Sequence, residues 1–223
     1  MNVSTTPNKS KQVFAFGDSW AYGSELDFAA GDKPFVHWFA QAVDMPYTNF
    51  GKEGASLAII LKTLVDNIKS ITEDSIVLVV VPPDVRWYSQ TEEQGFYTIK
   101  DHAEYLRIAG DHSAEWFTYH HAMFIYTIQK LLNDRGCRYI MAHNYGTIAE
   151  TKKYNFPFAR SKFLSLQDLT SILSGVYNAS TVLFHDPKAE LFTGEYFEGC
   201  IHHPNVKGHK RIAELLLEKY HAG

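Results

Sequence analysis

Cysteine is scarce in this chain: only Cys137 and Cys200 occur among 223 residues. That is too few for a disulfide-stapled scaffold, and a reducing compartment is the default expectation. Positive charge is not in excess either, with Lys+Arg 21 against Asp+Glu 25 and a formal charge of -4. No surplus is available to neutralise a phosphate backbone, which disfavours nucleic-acid binding. Long apolar runs are missing. The longest, Ile76 to Val81, is far short of the roughly 20 residues a membrane helix needs. The opening MNVSTTPNKSKQ is polar with no apolar stretch behind it, so the expectation is a cytoplasmic protein with no membrane partner. Neither G-x-G-x-x-G nor G-x-x-x-x-G-K-[ST] occurs, which removes the usual warrant for a phosphate-cradling loop.

What remains is a chain with 45% hydrophobic residues, enough to fill one core, and residues 1–223 read as one domain. Val13 to Phe16 is a short apolar run stopped by Gly17, as in a buried parallel strand. Pro34 to Val43 has apolar residues at helical spacing, with Pro34 suited to a first turn. A short strand at Tyr47 to Phe50 follows, then a turn carrying Gly51 and Gly54, and an amphipathic stretch from Leu57 to Ile68 with Ser56 placed to cap it. The central strand is Ser75 to Val81, β-branched and apolar on both faces, closed by Pro82-Pro83.

Beyond it, periodicity fades from Arg86 to Asp111 while aromatics accumulate, so residues 86–112 read as an insertion or lid. A long helix is expected from Ser113 to Asn133, ended by Gly136, then a strand from Cys137 to Ala142. A helix near Leu164 to Leu173, a strand from Thr181 to Phe184 and a final helix from Val206 to Tyr220 complete the order. Alternating strands and helices imply βαβ crossovers and a mostly parallel sheet covered on both faces, the α/β class. Ligands of such sheets bind at the carboxyl ends of the strands, which directs attention to the loops after Phe16, Phe50, Val81 and Ala142.

One of these loops, and one segment near the other end of the chain, carry chemistry-bearing residues. Gly17-Asp18-Ser19-Trp20-Ala21-Tyr22-Gly23 follows the first strand directly. It reads equally as a glycine-rich turn capped by Asp18 or Ser19, or as the seat of a serine nucleophile if a base reaches it. The base candidate is in Cys200-Ile-His-His-Pro-Asn-Val-Lys-Gly-His209, where Pro204 stiffens the loop after His203 and Asn205 can cap the last helix. Cys200, His202, His203 and His209 are also metal-ligand types. Adjacent histidines rarely converge on one ion, and no second cysteine pair or HExxH supports a metal, so none is expected.

The segments FAFGDSWAYG, NFGKEG and HPNVKGH, in that order and spanning nearly the whole chain, resemble the first, second and fifth blocks of the SGNH (GDSL) hydrolases. The resemblance implies a flavodoxin-like three-layer α/β/α fold and ester hydrolysis, deacetylation or acyl transfer on a small-molecule or carbohydrate ester, without a cofactor. It implies Ser19 as nucleophile, His203 as general base, and the backbone N–H groups of Ser19 and Gly54 as oxyanion donors. A catalytically inactive binding protein on the same fold is the alternative.

Two family features are absent. Where the third block has an oxyanion-hole asparagine this chain has Pro83, between Pro82 and Asp84, and proline offers neither an amide side chain nor an N–H. Arg86 and Asn144, at the same rim, are candidate substitutes. Where the family has an aspartate three residues before its histidine the chain has Cys200, and a neutral thiol stabilises an imidazolium poorly. Glu198 or Asp186 is then a candidate partner of His203, or a backbone carbonyl orients the ring. A rival serine, Ser56 in Gly54-Ala55-Ser56-Leu57-Ala58, approximates a nucleophile elbow, but it does not follow its strand by a sharp turn and reads better as a helix cap. The aromatics of 86–112 are candidates to stack on a sugar or shield an acyl chain, or belong to the core.

Overall fold

The computed structural model describes residues 11–82, 88–91, 95–98, 114–143, 157, 162–165 and 203–223. Strands β1 (Val13–Phe16), β2 (Tyr47–Asn49) and β3 (Ile76–Val81) form at the first three places expected from the sequence. Helices α1 (Ser19–Tyr22), α2 (Phe35–Ala42) and α3 (Leu57–Asn67) lie between them. A hairpin β4 (Tyr88–Thr91) and β5 (Gly95–Thr98) precedes helix α4 (Ala114–Asp134). Strands β6 (Arg138–His143) and β7 (Phe163–Ser165) and helix α5 (Val206–His221) follow.

The main sheet has five strands in the order β2-β1-β3-β6-β7, and every pairing in it is parallel. This is the flavodoxin-like doubly wound order, with the switch point between β1 and β3. Because side chains alternate along a strand, β1 and β3 feed two cores. Val13 and Ala15 with Ile76, Leu78 and Val80 meet Phe35 and Phe39 of α2 and Ile212 and Leu216 of α5 on one face. Phe14, Phe16, Val77, Val79 and Val81 meet Leu57 and Leu64 of α3 and Ile125 and Ile128 of α4 on the other. The result is the three-layer α/β/α sandwich. Burial of β3 on both faces explains why its sequence has no polar alternation.

Several expectations shift. Pro34 takes the N-cap position of α2, one place before the first turn. Ser56 occupies the N-cap position of α3 but its side chain makes no capping hydrogen bond. The helix expected from Leu164 is a strand over its first residues, where β7 pairs with the outer edge of β6, Ala142 opposite Leu164. Two adjacent apolar residues carry no period that separates helix from strand, and the open edge of β6 decides it. Leu164 packs on the α2/α5 core. The strand expected at Thr181 to Phe184 lies outside the described residues. Within the aromatic segment the backbone pairs as the antiparallel hairpin, Tyr88 opposite Thr98, and β5 comes close to α3. Gly136, at φ 68°, ends α4 in the left-handed conformation that glycine tolerates. Among the described residues no helix is long and apolar enough to cross a membrane.

Candidate active site

Ser19 opens α1 immediately beyond the carboxyl end of β1 and is buried. The turn that places it depends on Gly17, where a Cβ would come within 2.7 Å of both Ala21 Cβ and Val80 Cβ. Asp18, fully buried, is the N-cap: its Oδ1 accepts from Trp20 N at 3.0 Å, a placement that also suits a carboxylate at a helix start. The helix lasts one turn. Gly23, at φ 91°, terminates it, and the N–H groups of Gly23 and Ser24 both donate to Ser19 O, at 2.9 and 3.0 Å.

The loop after β2 is laced to this turn. Asn49 Nδ2 donates to Ala21 O at 2.7 Å while its Oδ1 accepts from Gly51 N at 2.9 Å. Lys52 N donates to Gly17 O at 3.0 Å. Gly51 sits so close to α1 that a Cβ there would be 2.4 Å from Tyr22 N. Gly54 follows in the left-handed region at φ 66°. Bringing these backbones together sets the Gly54 segment beside α1.

The residues that leave α1 then reach in two directions. Ser24 Oγ donates to Glu53 Oε1 at 2.7 Å, next to Gly54. Glu25 places Oε1 3.0 Å from His203 Nδ1, both side chains partly shielded from solvent. Glu25 does so from a left-handed backbone, φ 69°, which is uncommon for a non-glycine residue. His203 stands two residues before Asn205, the N-cap of α5, whose Oδ1 accepts from Gly208 N at 3.0 Å, the cap expected from the sequence. The segments bearing Ser19, Gly54 and His203 are thus joined through the exit turn of α1.

Other chemistry-bearing groups of the molecule are less suited to a reaction. His209 is fully buried and accepts from Phe35 N through Nδ1 at 3.2 Å, its ring stacked on that of Phe35. Burial, and after it the nearby His203, push its imidazole down to about 3, so it stays neutral. Among the described residues no group of three or more histidine, cysteine or acidic side chains is arranged to hold a metal ion, and Cys200 and His202 lie outside them. Cys137 is a free thiol that burial pushes up to about 11, which leaves it a poor nucleophile. At the carboxyl end of β3, His121 Nε2 donates to Pro82 O at 3.0 Å, fastening that strand to α4. Pro83, Asp84, Arg86, Asn144, Asp186 and Glu198 are outside the described residues.

Sequence reasoning missed Ser24, Glu25 and Asn49. An Asn-x-Gly after a strand is a signal for an Asx turn, which Asn49 makes with Gly51. Glu25 gives no local signal, because its partner is 178 positions away.

No protein-family model matches the sequence, and no curated protein matches it. Solved structures do. The chain is similar to a protein assigned to the G-D-S-L lipolytic family from Desulfitobacterium hafniense, at 13% identity and TM-score 0.52, over 94% of this chain and 99% of that one. It is similar to the lipase Lip_vut3 from a goat rumen metagenome, at 14% identity and TM-score 0.51, over 94% and 97% of the two chains. It is also similar to the acetyl xylan esterase AlAXEase, at 11% identity and TM-score 0.54, over 93% and 98%. At these identities the likeness is one of fold, and the chain has the α/β/α fold of the GDSL (SGNH) lipolytic proteins and esterases.

Proposed function

We propose that the protein is a serine-dependent ester hydrolase of the SGNH type, acting as an esterase, deacetylase or acyltransferase on a small-molecule or carbohydrate ester. The observation that carries this reading is the contact of Glu25 with His203 Nδ1. It fastens the candidate base to the turn that leaves the candidate nucleophile's own helix, and it leaves Nε2 as the nitrogen for proton transfer. The sheet and helices around it have a fold that also serves named esterases and a lipase, which supports the reaction class without supplying the residues.

In this mechanism Ser19 Oγ attacks the ester carbonyl while His203 takes its proton, and the carbonyl π electrons move onto oxygen. The Ser19 and Gly54 N–H groups meet that oxyanion, an interaction for which one lost donor typically costs about 10²–10³ in rate. Collapse expels the alcohol, which His203 protonates, and leaves an acyl-serine. Water, or a second alcohol in a transferase, then attacks the acyl carbon by the same route. Arg86 and Asn144 are the candidates for a third oxyanion donor in place of Pro83. No cofactor enters. The low cysteine content supports a cytoplasmic setting.

One observation favours a second reading, a binding protein that retains the fold without turnover: Pro83 stands where a side-chain oxyanion donor is expected. Kinetics on a simple aryl acetate separate the two. Ser19→Ala and His203→Ala should each lower turnover on the order of a thousandfold or more, and the double variant little further, because the pair acts as a unit. Undiminished turnover in Ser19→Ala, or losses that multiply, would overturn the assignment, and no turnover in the native protein selects the binding reading.

A further inference from the structure

We propose that Glu25 is the positioning carboxylate of the candidate base, holding His203 from the nucleophile's own segment. This rests on the hydrolase reading above and extends it to a residue outside the three sequence blocks.

Three independent features converge on Glu25. Its Oε1 lies 3.0 Å from Nδ1 of His203, so Nδ1–H donates to the carboxylate and the tautomer with its lone pair on Nε2 is selected. An imidazolium formed when His203 takes a proton is then met by a negative charge already in place. Next, Glu25 adopts φ 69°, a strained conformation for a side-chain-bearing residue that is retained where the surroundings over-determine it, typically at functional sites. Finally, the carboxylate is fixed relative to Ser19. Gly23 N and Ser24 N both bond to Ser19 O, so Glu25 is the first residue beyond that clamp, and Ser24 Oγ pins the same turn to Glu53. The nucleophile, an oxyanion-donor segment and the base's carboxylate therefore share one short frame.

Among the described residues, Glu25 faces His203 directly and His209 of α5 lies near it. Because His209 remains neutral, the carboxylate is the charge that changes in the test. The reaction read is labelling of Ser19 by a fluorophosphonate, followed over a series of pH values in the native protein, Glu25→Gln and Glu25→Gly.

Glu25→Gln keeps a hydrogen-bond acceptor but removes the charge. Its labelling should slow roughly ten- to hundredfold, less than for a fully buried triad acid because the pair is partly solvated. The pH profile of labelling should differ from the native one, and the melting temperature should hold. Glu25→Gly relieves the left-handed backbone and should hold or raise the melting temperature, yet slow labelling at least as much. A merely structural Glu25 would give the reverse: native rates and an unmoved pH profile in Glu25→Gln, and that result overturns the proposal while leaving the hydrolase reading standing. Native protein that does not label at all overturns that reading, and the role of Glu25 in catalysis with it.

Discussion

Phe35 donates its backbone N–H to Nδ1 of His209 at 3.2 Å, joining the start of α2 to the first turns of α5 across 174 positions. The acceptor must be unprotonated. Burial and the neighbouring His203 lower this imidazole from 6.5 to about 3, so the unfolded chain takes up a proton below the ordinary value that the folded chain refuses. The contribution is complete above about pH 6.5 and is lost as pH falls from there toward 3, at up to roughly 1.4 kcal/mol per unit. Urea unfolding at pH 7.5 and pH 5 should show this loss in the native protein. His209→Gln should be less stable at pH 7.5 and lose less on acidification. An equal loss in both would contradict the assignment.

Gly51 is where the loop after β2 touches α1, and a Cβ there would lie 2.4 Å from Tyr22 N and 2.6 Å from Ala21 C. Both are backbone atoms, which cannot rotate away. Gly51→Ala should therefore cost roughly 1–3 kcal/mol in unfolding free energy, the range for overpacking. It should also lower ester turnover by more than the stability loss explains, since the displaced segments carry Ser19 and Gly54. A variant with native stability and turnover would show that the contact relaxes freely.

Cys200 stands where the resembling family has its aspartate. With Glu25 already on His203 Nδ1, a second carboxylate there is redundant. Cys200→Asp in the native background should change turnover by less than roughly twofold, while in Glu25→Gln it should recover much of the lost rate, the coupling expected of two groups serving one ring. A tenfold gain in the native background would instead show that His203 lacks an adequate partner.

Much of the fold was legible because burial writes itself into period and composition. The two-sided burial of β3 appears as an unbroken apolar run, and the α2 and α3 faces as helical spacing. Strand β7 was not legible, since three residues pair at a sheet edge and their short apolar content fits either element. The hairpin β4–β5 was hidden in a segment without periodicity. Of the candidate site, Ser19 at the end of β1, Gly54 in the turn before α3 and His203 ahead of a capped helix follow from local motifs, and the left-handed backbone of Gly54 does not. The ties among their segments do not. Ser24 to Glu53 and Glu25 to His203 join residues 29 and 178 positions apart, and only the closure of the sheet brings them into reach.

The central claim is that Ser19 is an activated nucleophile, and covalent modification tests it whatever the substrate. Intact protein treated with a fluorophosphonate should gain one phosphonyl group, located by peptide mass spectrometry on Ser19. The adduct should be absent in Ser19→Ala and slowed about a thousandfold or more in His203→Ala. No adduct on the native protein, or one that persists in Ser19→Ala because it sits on Ser56 or another residue, would contradict the account.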